Sequence, residues 1–146
     1  MRYVLFILLT ITSVSSCSEF EIVGAIIQPW SGGIAGSPGG SNYTLEMVAL
    51  KNSSELQIDQ LWVGEQFFEV KARKKLLAWS SNGFIENDTI YIGAVKVNDV
   101  KNGNLQNSIA RPSGQQGLWV VGYLINGKRK YVGTDDIKVL KSIANP

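Results

Sequence analysis

The chain has 146 residues, 45% of them apolar and 18% charged, with a formal net charge of +2; that is one domain able to build a core, and it excludes disorder and a coiled coil. Fifteen glycines and a wealth of Val, Ile and Tyr predict an all-β fold. Histidine is absent, which removes the commonest general base and zinc ligand, and the single cysteine rules out an intramolecular disulfide.

The first element is a leader. Arg2 supplies a positive start, and residues 3 to 14, "YVLFILLTITSV", form an apolar run that ends in small residues. This is the layout of an export signal helix, too short to span about 30 Å of hydrocarbon. Val14, Ser15, Ser16 and Cys17 close it. They resemble the lipobox of bacterial lipoproteins, which implies removal of residues 1–16 and acylation of Cys17. At about 0.8 kcal/mol per buried methylene, two or more acyl chains make a stable anchor where one does not. By the same resemblance, Ser18 after the cysteine favours the outer membrane of a Gram-negative bacterium, and Glu19 and Glu21 are the acids often seen in surface-exported lipoproteins of Bacteroidota. The rival is a secreted soluble glycoprotein with an ordinary signal peptide, for which Asn42, Asn52 and Asn87 head N-glycosylation sequons.

Seven strands follow. The first is 20–28, stopped by Pro29; then come 42–50, 55–63 and 66–73, with "KNSS" and "GE" as turns. The fifth is 88–95. The sixth, 118–125, is apolar on both faces and therefore central, and Asn126-Gly127 predicts a type I′ turn into the seventh, 128–132, with 137–141 as its continuation. The expected architecture is a single antiparallel β-sandwich over residues 17–146, with long loops at 31–41 and 96–117 where function would sit. "PWSGG" at 29–33, "LQIDQLWV" at 56–63, "NDTIYI" at 87–92 and "YLINGK" at 123–128 resemble small Bacteroidota lipoproteins with an immunoglobulin-like sandwich. That family brings no activity with it, and the disulfide of antibody domains is absent.

Few residues suggest chemistry. The glycines of 31–41 match neither phosphate-binding fingerprint. Glu86 and Asp88 share a strand face as glycosidase carboxylates would, but read as solvated acids; Asp135 and Asp136 read as turn formers. "DTI" at 88–90 resembles an O-glycosylation consensus of some Bacteroidota, which makes Thr89 a candidate glycan site. Charge is partitioned: net −6 over residues 18–70 and net +7 over 71–146.

The basic clusters are Lys71, Arg73, Lys74 and Lys75, and then Lys128, Arg129 and Lys130. Met on one face, they would engage anionic lipid or an acidic polymer; apart, they guard sheet edges against aggregation. Trp119 and Tyr123 share a face of the sixth strand with Val121 and Ile125; left open, that face would be a sugar-stacking or partner surface, with burial the commoner fate. Trp30 and Trp62 read as core anchors.

The resulting expectation is a lipid-anchored, non-catalytic binding or structural component of the cell envelope. It would bind a glycan or another envelope protein, with no cofactor, metal or nucleic acid. The alternative is a histidine-free hydrolase acting on envelope or glycan substrates, with Glu86, Asp88 and Arg111 converging in a pocket.

Overall fold

A computed structural model describes residues 18–74, 83–98 and 109–145. Residues 1–17, and with them the signal segment and Cys17, lie outside the described residues, as does Lys75. The described chain is all-β, in two sheets. The strands are β1 (Phe20–Gly32), β2 (Gly39–Ala49), β3 (Leu56–Val63), β4 (Gln66–Glu69), β5 (Ala72–Lys74), β6 (Thr89–Asn98), β7 (Trp119–Ile125), β8 (Lys128–Thr134), β9 (Ile137–Val139) and β10 (Ile143–Asn145).

One sheet runs β10-β1-β2-β6-β5, with β9 also on β1; the other runs β4-β3-β7-β8. Alternation decides which faces meet. Tyr43, Leu45 and Met47 of β2 and Ile90 and Ile92 of β6 turn inward against Leu61, Trp119, Val121 and Tyr123 of the second sheet, forming one core. Edge-on aromatic pairs cross it at both ends, Phe20 with Tyr123 (centroids 4.7 Å apart) and Tyr43 with Trp119 (5.7 Å).

The strand expectations hold in type and need correction in number and direction. Among the described residues ten strands replace seven, and β1 pairs in parallel with both β9 and β10, so the fold is not purely antiparallel. Segment 137–139 does not continue β8; after the turn at Asp135 and Asp136 it crosses to the other sheet. The predicted 66–73 strand is likewise divided, β4 in one sheet and β5 in the other.

Pro29 does not end β1. Its missing N–H falls between the partners on that edge, because β9 pairs with residues 25–27 and β10 with residues 30–32. The Asn126-Gly127 turn has positive φ at both residues, 49° and 71°, as a type I′ hairpin requires. β7 is central, between β3 and β8, as its two apolar faces predicted.

Register divides the molecule into two ends. β1 starts where β2 ends (Phe20 opposite Ala49), β6 starts beside Val48, and Leu56 of β3 pairs with Ile125 of β7. This end holds residue 18, the chain at 50–55, the 85–88 turn and Asn126-Gly127. The opposite end holds the β1–β2 turn, Gly64 and residues 111–118, as well as Asp135.

Candidate functional site

The far end is assembled from loops. The predicted 31–41 loop is partly strand: β1 takes residues 31–32 and β2 residues 39–41, leaving 33–38 as the turn, because glycine and serine do not prevent the ladder from pairing Trp30 with Gly40. Of the predicted 96–117 loop, residues 96–98 complete β6 and residues 99–108 lie outside the described residues. The remainder, 109–117, folds over the outer face of the four-stranded sheet.

Three features hold this cover. Trp62 projects from the outer face of β3, 1% exposed, between Phe67 and Tyr131, and its indole N–H donates to the Ile109 carbonyl at 3.1 Å. Arg111 donates to the carbonyls of Gly64 (3.3 Å), Gln115 (3.2 Å) and Gly117. Gly133, facing outward on β8, lets the Gln116 carbonyl come closer than any Cβ would allow. Asp135 accepts from the Leu118 N–H at 2.7 Å, a contact between distant segments that the turn-former reading did not include.

Open cavities lie on the surface of the described residues. One of about 460 Å³ lies beside Asn52, Ser54, Lys74 and Ile85; one of about 330 Å³ beside Glu69, Lys71, Arg73 and Gly93; and one of about 440 Å³ beside Ser18, Glu19, Tyr123 and Lys130.

The last contains Glu19, the buried charged residue among the described ones. Glu19 is 4% exposed; it accepts from the Tyr123 hydroxyl at 2.7 Å and the Lys130 ammonium at 2.7 Å, with Lys51 at 3.6 Å. Burial pushes its carboxyl up, but the hydrogen bonds from Lys130 and Tyr123 and the Lys130 charge outweigh it and hold Glu19 below the ordinary carboxylate value. Tyr123 is driven the other way, far above the ordinary phenol value, first by burial and then by the Glu19 carboxylate. The pair fastens the start of β1 to both β7 and β8.

The nominated surface residues fare as follows. Trp119 and Tyr123 are 1% and 2% exposed, facing the opposite sheet, so the proposed aromatic platform is closed. The described parts of the basic clusters do not merge. Lys74 sits on β5 at the edge near β3, and Lys128 to Lys130 on β8 at the edge near β1, on different sheets. Lys74 pairs with Asp88 at 2.9 Å, Arg129 with Asp59 across a β3 bulge, and Lys130 with Glu19; Lys128 is exposed. Trp62 and Trp30 are not anchors of the inter-sheet core. Trp30 lies half-buried on the outer face of the six-stranded sheet, its ring over Gly40.

Thr89 opens β6, half-buried. Glu86, Asp88 and Arg111 do not converge: the first two stand at the 50–55 end and Arg111 is committed to carbonyls at the other. Among the described residues no group of acids or cysteine is arranged to hold a metal.

No sequence signal marked Glu19 as a buried partner of Tyr123, 104 positions away, nor Trp62 as the ridge under the 109–117 cover. No family model, curated protein or solved structure matches this chain.

Proposed function

We propose that this chain is an envelope lipoprotein. Its 1–16 segment is removed, Cys17 is acylated, and the domain is held at the outer membrane as a non-catalytic binding or structural component. One observation carries the reading: Ser18 and Glu19, directly after the lipobox, are already hydrogen-bonded into the fold and Glu19 is buried, while the described parts of both long loops gather at the opposite end. Loops facing away from an anchor are placed to meet a glycan or another envelope protein.

The strand orders also support an immunoglobulin-like reading. β1-β2-β6-β5 opposite β4-β3-β7-β8 corresponds to A-B-E-D opposite C′-C-F-G, with β9 and β10 as additions. The missing cysteine pair is the departure.

Intact-mass measurement of the membrane-extracted protein tests the anchor. The expected species begins at Cys17 and carries diacylglyceryl and acyl mass, and Cys17→Ala abolishes it. A mature chain beginning near Ser16 or Ser18 without lipid mass overturns the proposal.

A further inference from the structure

The same end of the sandwich that receives the chain from Cys17 has an unusual combination of features. Ser18 and Glu19 are not a loose leader: the Ser18 hydroxyl donates to the Phe20 carbonyl at 2.6 Å, and the Glu19 carbonyl accepts from Leu50 N–H at 2.9 Å. The Glu19 carboxylate is fastened to Tyr123 and Lys130. Residue 18 therefore leaves the fold in a fixed direction.

Beside this exit, Leu50 is 45% exposed and Ile85 is 62% exposed. Their segments are hydrogen-bonded neighbours, Asn87 N–H donating to the Ala49 carbonyl at 2.8 Å. Among the described residues here, Lys51, Lys128 and Lys130 are offset by Glu19, Glu55 and Glu86, and Lys74 by Asp88, so they sum to near neutral.

Only Ser18 separates Cys17 from Glu19, and two steps at ~3.5 Å per residue reach about 7 Å. A covalent tether of that reach keeps this end of the fold beside the surface to which Cys17 is attached. A tether that short also raises the local concentration of even a weak contact to the point where it is populated.

We propose that the end of the sandwich around Glu19 is seated on the headgroups of the leaflet that carries the Cys17 acyl chains, with Leu50 and Ile85 as its apolar contacts. The proposal rests on the acylation reading above. Its occupant is the bilayer itself, because the tether brings no other surface within reach. Near-neutral charge suits zwitterionic headgroups and makes the seating insensitive to salt. The 33–38 turn and the 109–117 cover then face away from the membrane.

The test uses the full lipidated chain in phosphatidylcholine vesicles that contain a headgroup-nitroxide lipid. Acylation blocks the only native thiol, so a fluorophore reports on a single introduced one: Ile85→Cys or Leu50→Cys at the seated end, Ile34→Cys at the other. Eleven residues of β2 at about 3.4 Å each set the ends roughly 35 Å apart, so quenching is expected to be at least about threefold stronger at positions 85 and 50 than at 34.

Equal quenching at the two ends, in a protein that floats with the vesicles, overturns the seating and leaves the anchor standing. A protein that does not float, behaving like Cys17→Ala, overturns both.

Discussion

The outer faces of the two sheets have met different fates. On the four-stranded sheet, Trp62 and Val120 are 1% and 0% exposed because residues 109–117 lie over them. On the six-stranded sheet, Val95 and Val97 are 56% and 39% exposed, and the face relies on polar cross-strand pairs such as Tyr91 with Glu46 at 3.2 Å. Both sheets contribute an inner face to the same core, yet only one outer face became interior. The difference lies in the glycines and in Arg111. Gly133 lets the cover approach the sheet, and Arg111 gathers three of its surrounding carbonyls, while the open face has Gly40 occupied by the Trp30 ring.

If the covered face is true interior, Trp62→Ala should cost about 3–5 kcal/mol in chemical denaturation, the range of aromatic truncations in cores. A loss below about 1 kcal/mol would show the cover to be loosely laid. Gly133→Ala pushes a methyl group into the Gln116 carbonyl and should cost about 1–3 kcal/mol, with faster amide exchange over 109–117 as its signature.

The seam between sheets answers to acid instead. Glu19 is held below the ordinary carboxylate value, so its pairing stabilises the protein above that value and is lost as pH falls through the lowered folded one. Glu19→Gln should therefore lower stability at neutral pH by about 1–3 kcal/mol and flatten the acid limb of a stability-against-pH curve. An unchanged acid limb would remove Glu19 from the seam. On the open face, Val95→Thr should stay within about 0.5 kcal/mol of the parent; a larger loss would mean that this face too is covered.

Much of this was legible before any coordinates. Asn126-Gly127 announced a hairpin because two consecutive residues there tolerate positive φ, and the double-sided apolar run at 118–125 announced a central strand, since only a strand buried on both faces tolerates it. Local chemistry suffices for such elements. The crossing of the chain between sheets at 70–71 and 135–136 was not legible: alternation continues through the first, and the Asp135-Asp136 turn at the second does not say which sheet receives the next strand. Trp119 and Tyr123 were correctly placed on one face, but a strand pattern does not say whether that face meets water or another sheet. Glu19 illustrates the same limit: its acidity is local, and its burial depends on Tyr123 and Lys130 arriving from the far end of the chain.

The parallel strands β9 and β10 have a mechanical consequence. β1 is gripped on one side by β2 over nearly its whole length and on the other by the last strands of the chain. A pull applied at residue 18 and directed along β1 would load these ladders in shear, many hydrogen bonds at once, where a pull across the strand would peel them singly. β1, β9 and β10 thus form a single clamp, and traction at residue 18 is resisted by residues far along the chain.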